Sequence, residues 1–431
     1  MRVSKSIKLD NPEEFKKKLL LWSQQFDVIV WIDSNDYQQE YSSFDAVLAV
    51  GVEGFLSCDC KDSFEKLSTF RKKTEDYIFG YFGYDLKNDI EDLSSENFDG
   101  LGFSDMYFFQ PKKIFFLKGD VLDVQFLKEL GTEIDSDINL IQEEVIKDIN
   151  YSLTPDLQIR QRISKSKYNR KLKNILNHIH RGDIYEVNFC QEFYAESAEI
   201  NPLSVYQKLN KISAPPFATF LKIDDKFLLS ASPERFVKKQ GNKIISQPIK
   251  GTARRLQDRD EDKKLAENLF RDPKERAENI MIVDLVRNDL SKTAKEGSVK
   301  VEELCKVYSF KQVHQLISTV VSKVENDANP VEIIKSLFPM GSMTGAPKIS
   351  AMKIIEEQEE TKRGLYSGAV GYFTPDENFD FNVVIRSILY NQTNKYASFT
   401  VGGAITSKSV IENEYEECMV KAEAMKNALK S

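Results

Sequence analysis

Three histidines, two tryptophans and five cysteines in 431 residues leave little material for several common chemistries. The cysteines (Cys58, Cys60, Cys190, Cys305 and Cys418) are sparse and odd in number, which argues against a secreted disulfide framework. Cys58-Asp59-Cys60 has no second Cys or His pair nearby, so a structural zinc site, which needs about four ligands, is not expected there. His178 and His180 stand two apart at a predicted helix end and diverge, and His314 is isolated, so none reads as a metal ligand. No stretch approaches the ~20 apolar residues of a membrane span. MRVSKSIKLDNPEEF, at the N-terminus, lacks the apolar centre of a signal peptide. A cytoplasmic, reducing setting is the expectation. Positive charge is not in excess either: 67 acidic against 60 basic residues give a net charge of −7, which denies a nucleic acid the basic face it would need. There is no serine-hydrolase elbow, no HExxH and no paired CxxC.

What is present is core material. Apolar residues make up 41% of the chain, with 28 Phe and 17 Tyr, enough to offset the ordering entropy of a globular fold. At roughly 100–200 residues per domain, the length allows two or three domains or one large one. Asp10-Asn11-Pro12 ahead of Phe15, Leu19 and Trp22 predicts a capped amphipathic helix. Strand-like runs lie at 26–33, 44–51, 76–84 and 106–127, then at 215–223, 226–232, 366–373, 381–390 and 396–406. Residues 235–249 predict a hairpin with Gly241-Asn242 at its turn. Helices are predicted from Tyr168 to Arg181 and at 260–292, 330–337, 347–360 and 409–429. The irregular interleaving predicts an α+β fold of antiparallel hairpins with helices outside. A polar stretch from Asp148 to Ser164, containing Pro155, is the candidate boundary between an N-terminal part, 1–150, and a later part, 164–426.

Gly341-Ser342-Met343-Thr344-Gly345-Ala346-Pro347-Lys348 looks like a phosphate loop, but it lacks the GxxxxGK[ST] spacing and Pro347 sits where a donor N–H is wanted. It can still receive a small carboxylate, because it feeds a helix start. Two carboxylate pairs carry more information. Glu275 and Glu278 lie three apart on one predicted helix and Glu414 and Glu417 on another, a spacing that puts each pair on one helix face. Four carboxylates converging from two helices suit Mg²⁺ with waters and a substrate oxygen. An acidic chain also carries such pairs on solvated faces, as expected of Glu356, Glu357, Glu359 and Glu360, so spacing leaves both readings open. Lys250, at a strand end in Gln247-Pro248-Ile249-Lys250-Gly251-Thr252, is either one more surface lysine or a buried nucleophile whose pKa is lowered by desolvation or a nearby cation.

An ordered series of motifs runs from about Ser164 to Lys426: GDIYEVNFCQEF (182–193), SPERF (232–236), PIKGT (248–252), KERAENIMIVDLVRNDL (274–290), GSMTGAPKISAMKII (341–355), GLYSGAVGYF (364–373), VVIRSI (383–388) and ENEYEECMVKA (412–422). With WIDSN (31–35) and YSSFD (41–45) ahead of it, the series resembles the chorismate-utilising enzymes, the family of the anthranilate, aminodeoxychorismate and isochorismate synthases. The resemblance implies an anthranilate-synthase-like fold, with antiparallel sheets packed in a sandwich and helices outside. It makes 1–150 the family's first domain and 164–426 the chorismate-binding catalytic domain. It puts Mg²⁺ on Glu278 and Glu417, with Glu275 and Glu414 in support. Glu234 of SPERF becomes the acid/base, and Tyr366 and Arg386 hold the substrate's carboxylate side chain. Gly402, Gly403 and Ala404 match a glycine turn whose N–H groups meet a carboxylate. Ser342 joins the substrate-binding set, and Lys421, one helical turn after Glu417, helps neutralise the dianion.

Within the family, lysine in PIKGT resembles the members that make aminodeoxychorismate, with Lys250 as nucleophile; anthranilate synthases carry alanine there. GSMTGAPK and the VN of YEVNF point the same way. Gln315 stands where anthranilate synthases have a histidine linked to pyruvate loss, unless His314 takes that place in the alignment. Glu186 stands where isochorismate and salicylate synthases have a general-base lysine and most relatives have glutamine. The resemblance thus implies conversion of chorismate and ammonia to 4-amino-4-deoxychorismate, towards p-aminobenzoate and folate. The ammonia would come from a separate glutamine amidotransferase subunit, because the chain shows no glutaminase module. Anthranilate formation and a non-catalytic chorismate- or tryptophan-binding role are the alternatives. Family members also have a tryptophan site, matched here by Ser34, Tyr41, Ser42, Ser43, Phe44, Pro216, Phe217 and Ala218; the competing reading makes these side chains inter-domain core.

Overall fold

Asn11 opens the first helix as its sequence requires. Its side-chain oxygen accepts the Glu14 N–H at 3.2 Å, and Pro12 takes the position where no N–H is needed, so the helix Pro12–Trp22 begins there and buries Phe15, Leu19, Leu20 and Trp22. Ser164 caps Lys165–Arg181 in the same way, and Gly182, at φ +86°, ends it. The computed structural model describes residues 1–37, 40–146, 157–310 and 313–430, in which eleven α-helices lie against twenty strands. Every strand ladder among these residues is antiparallel, and the ladders join into one hydrogen-bonded network, an α+β fold.

Side chains alternate between the two faces of each strand, and the two faces feed two cores. On Val28–Asp33, Ile29 and Trp31 join one core while Val28, Val30 and Ile32 join the other. The first core packs strands on helices, with Leu172, Ile175, Met425 and Leu429 among its members, and the second is rich in phenylalanine. Early and late parts of the chain interlock. Val28–Asp33 pairs with Phe217–Ile223, Trp31 lying opposite Phe220, and Ile78–Phe82 pairs with Ala369–Phe373. Both cores draw side chains from before and after the expected boundary, of which residues 148–156 lie outside the described residues.

Of the departures from the sequence reading, three bear on the site. The helix expected over 260–292 is two, Arg259–Arg271 and Pro273–Ser291, because Pro273 cannot continue the hydrogen-bond ladder and Asp272 instead caps the second helix. The strand expected over 381–390 is also two, Phe379–Val383 and Ser387–Asn391, separated where Arg386 adopts φ +51°. The strand Glu186–Ala195, not expected from the sequence, sends Val187, Phe189 and Phe193 into the first core and Glu186, Asn188 and Glu192 to its other face, and both faces are buried. No helix among the described residues is long and apolar enough to cross a membrane.

Candidate active site

Two helices bring the four glutamates into one electrostatic neighbourhood. Asp272 accepts the Lys274 N–H at 2.8 Å and the Glu275 N–H at 3.0 Å, which starts Pro273–Ser291 with Glu275 and Glu278 in its opening turns. Glu414 and Glu417 occupy the corresponding turns of Ile411–Leu429. Glycines let backbone approach both pairs. A Cβ on Gly251, which holds φ +94°, would lie 3.1 Å from Glu275 Oε2, and one on Gly403 would lie 3.4 Å from Glu414 Oε2.

Lysines answer this negative charge. Burial pulls Lys274 down, but Glu278, Glu414, Glu275 and Glu417 outweigh it and its pKa rises; its amine is 3.8 Å from Glu278. Lys421 pairs with Glu417 at 2.6 Å and donates to the Gly402 carbonyl at 2.9 Å. Burial raises Glu275 and Glu414, and pushes Glu278 up to about 7 against the pull of Lys250 and Lys274. Glu417 goes down, because Lys421 outweighs its burial. Among the described residues, no three His, Cys, Asp or Glu side chains are grouped closely enough to hold a metal ion by themselves. The donor chemistry still fits Mg²⁺. Hard carboxylate oxygens from two helices already share the single cationic charge of Lys274, and Mg²⁺ takes one or two carboxylates with waters and substrate oxygens rather than a closed protein cage.

Lys250 lies on Ile249–Arg254, clamped from behind by the helix of Glu278. The Asn279 side chain donates to the Lys250 carbonyl at 3.2 Å and the Leu316 carbonyl at 3.1 Å. The Lys250 amine sits 3.2 Å from Glu186 Oε1, the two side chains being 14% and 2% exposed. Burial alone would depress its pKa, as the sequence reading expected. Glu186, Glu278 and Glu234 outweigh burial and the pKa is raised, because carboxylates outnumber cations around this amine. Glu234 is buried and accepts the Ser342 hydroxyl at 2.7 Å. Burial pushes Glu234 up to about 7, against Ser342, Lys250 and Arg386. A cavity adjoins Glu234 and Ser342.

Of the remaining expected substrate contacts, Arg386 neighbours Glu234 and Gly403 neighbours Glu414. Arg386, at the break between its two strands, is pulled down by burial and up by Glu234. Tyr366 is buried with its hydroxyl 3.7 Å from Cys190 Sγ. Gly402, Gly403 and Ala404 are not a turn. They lie in the strand Tyr396–Thr406, opposite Cys190, Phe189 and Asn188, because a Cβ at Gly402 would come within 2.4 Å of Cys190 Sγ and only glycine fits the ladder there. Among the described residues no second ladder covers the other edge of that strand beyond Tyr396–Ser398. Gln315 faces Thr252 at 3.5 Å, whereas His314, pointing to the opposite face, binds Asp262 and Ser309.

A second cavity is lined by Ser34, Ser42, Ser43, Phe44, Pro216 and Phe217, six of the eight positions matched to a tryptophan site. Tyr41 and Ala218 are not in its wall. The Tyr41 hydroxyl donates to Glu302 at 2.5 Å, and Ala218 is buried in its strand opposite Asp33. The sequence reading missed Arg235, Tyr372, Asp380 and Asn382, which with Ile32 complete the lining. Arg235 pairs with Asp380 at 3.0 Å, while Ser34 Oγ and Asn382 Nδ2 are buried without partners.

The protein-family model for the chorismate binding enzyme matches residues 27–427. The chain is 38% identical over 269 residues to aminodeoxychorismate synthase component 1 of Salmonella typhimurium, an alignment covering 62% of this chain and 59% of that protein, so the chain spans less than two thirds of its length. It is 32% identical over 367 residues to anthranilate synthase component 1 of Aquifex aeolicus, covering 82% of this chain and 74% of the other. Anthranilate synthase component I from Streptococcus pneumoniae superposes with a TM-score of 0.76 at 26% identity, over 90% of this chain and 93% of that one.

Proposed function

The chain belongs to the chorismate binding enzyme family, and from that premise we propose that it is the chorismate-converting component of an aminodeoxychorismate synthase. It replaces the C4 hydroxyl of chorismate by an amino group, giving 4-amino-4-deoxychorismate for p-aminobenzoate and folate synthesis in the cytoplasm. A glutamine amidotransferase partner supplies ammonia, a reading supported by relatives named as a component 1.

The observation that carries this reading is the burial of Lys250 beside Glu186, in the fields of Glu234 and Glu278. Lys250 Nζ bonds to C2 of the ring, the double bonds shift, and the C4–O bond breaks as Glu234 gives its proton to the leaving hydroxyl. A carboxyl group whose pKa stands at about 7 holds that proton in neutral solution and can release it. Ammonia then bonds to C4, the double bonds shift back, the C2–N bond to Lys250 breaks, and Glu234 takes a proton from the new ammonium. Arg386 and Tyr366, with the uncovered edge of the strand at Gly402, Gly403 and Ala404, take the substrate's carboxylates. Ser342 fixes Glu234, and Lys421 fixes Glu417. Glu278 and Glu417, supported by Glu275 and Glu414, would hold Mg²⁺, which would supply a Lewis acid for the ring carboxylate. Gln315, rather than a histidine, on the Thr252 side favours retention of the enolpyruvyl group.

The test is to incubate the protein and Lys250→Ala with chorismate, Mg²⁺ and an ammonium salt, and to locate the new amino group by NMR. The expected result is a 4-amino product that falls at least about 100-fold in the variant, the scale of a lost covalent step. Pyruvate and a 2-amino product from the unmodified protein would make it an anthranilate synthase, and no turnover would make it a binding homologue. For the second cavity, the unpartnered Ser34 and Asn382 groups support an amino-acid ligand, and L-tryptophan is the one we assign.

A further inference from the structure

Glu186 has no part in the reaction above, yet among the described residues it is the one carboxylate within 4 Å of the Lys250 amine. It opens the strand Glu186–Ala195 and is held between two ladders, opposite Thr406 on one side and Ala346 on the other, so its backbone is fixed. Only one of its oxygens is engaged. Oε1 meets the amine at 3.2 Å, while Oε2 is buried with no hydrogen-bond donor. Left unmet, a buried acceptor of this kind costs about 1–3 kcal/mol. An oxygen left free in a reaction centre is ready for a proton or donor that arrives during the reaction.

The surroundings explain why such a group is needed. Lys250 is faced by Glu186 from its strand, by Glu278 and Glu275 from one helix, by Glu417 from the other, and by Glu234 from the segment before Arg235–Gln240. Glu186 and Glu234, which bind no metal in this reading, favour the ammonium, which cannot attack carbon. Of the five, Glu186 alone is within 4 Å, so the proton has one short exit.

We propose that Glu186 is the base that takes a proton from the Lys250 ammonium before attack and returns it when the amine leaves. The inference rests on the reading of Lys250 as nucleophile. In the first step one N–H bond of Lys250 breaks and an O–H bond forms on Glu186, turning ammonium and carboxylate into neutral amine and carboxyl. The amine's lone pair then makes the C2–N bond, and the C4 hydroxyl leaves with the proton of Glu234 as water. After ammonia has bonded to C4, the C2–N electron pair returns to Lys250 as neutral amine. Glu186 gives its proton back, Glu234 is reprotonated by the C4 ammonium, and both groups are restored for the next turnover.

Glu186→Gln preserves shape and removes the base. The measurement is kcat and KM for chorismate between pH 6 and 9.5, with the product identified at each pH. Expected is a fall in kcat of about 100-fold at pH 7, the lower end of general-base contributions, with KM within about threefold. The variant's rate should climb with pH as solvent takes over deprotonation, while the unmodified protein stays level over the neutral range. If the variant keeps kcat within about threefold, or loses activity without gaining that alkaline climb, Glu186 is not the base. Should Glu186→Gln fail to fold, Glu186→Asp withdraws the carboxylate by one methylene and is held to the same two outcomes. Absence of any 4-amino product from the unmodified protein overturns the functional reading and this inference with it. A 4-amino product made equally well by the variant overturns this inference alone.

Discussion

Replacing Glu234 by glutamine should make the protein more stable and much less active, and the size of the gain follows from its surroundings. The side chain is buried, and burial lifts its pKa from the ordinary 4.5 to about 7 despite Ser342, Lys250 and Arg386. At 1.36 kcal/mol per tenfold change in proton affinity, that rise is a cost of about 3 kcal/mol to hold the carboxylate ionised in the fold. The native state keeps its proton to higher pH than the unfolded chain. The cost is therefore absent below pH 4.5, grows as pH rises, and is complete above pH 7. Glutamine has no charge to desolvate and can still accept the Ser342 hydroxyl that Oε1 accepts at 2.7 Å. Urea midpoints at pH 5 and pH 8.5, converted by linear extrapolation, should show the variant's advantage growing by about 2 kcal/mol between the two. Its turnover should drop by about 10²–10⁴, the usual contribution of a general acid. A variant whose advantage is the same at both pH values would refute the assignment of burial as the cause, and one with near-normal kcat would refute the acid role.

Glu278→Gln should raise the Mg²⁺ concentration for half-maximal turnover by about tenfold or more while the melting temperature stays within a few degrees; an unchanged Mg²⁺ titration removes Glu278 from the ligand set. L-Tryptophan titrated into the protein should release or absorb heat with about one site per chain, and Asn382→Ala should weaken it about tenfold, the scale of one buried hydrogen bond. No heat with the unmodified protein would leave those side chains as packing.

The glutamate pairs were legible in the sequence because helix geometry is periodic: three residues apart is the same face wherever the helix sits. Glu275 and Glu278 therefore stood out before any fold was known. Lys274, which shares charge with all four glutamates, was not legible, since nothing in the order of residues says that a lysine beside Glu275 leans towards a second helix. The direction of the Lys250 shift was missed for a related reason. Burial is a property of one residue, whereas the outcome here depends on Glu186, Glu278 and Glu234, which come from a strand, a helix and a connecting segment far apart in the sequence. Arg235, Tyr372, Asp380 and Asn382 were overlooked because only the pairing of Phe379–Val383 with Arg235–Gln240 on one side and Ala369–Phe373 on the other brings them to the cavity. The break at Arg386 was hidden by apolar residues on both sides, which read as one continuous strand.

The interlocking of early and late strands sets the order in which the molecule can be made. Ile78–Phe82 receives Ala369–Phe373 along one edge, a partner that leaves the ribosome about 290 residues later. At 5–20 residues per second that is a wait on the order of 15–60 s. Through that interval Phe79, Tyr81 and Phe82, all buried in the finished protein, have no partner on that edge, and Val28–Asp33 waits likewise for Phe217–Ile223. Open strand edges of this kind template association with other chains. The nascent first third must therefore be shielded, by chaperones or by its own helices, until the last third arrives. Expression yield should accordingly depend on translation speed and chaperone supply more than on the stability of the finished fold.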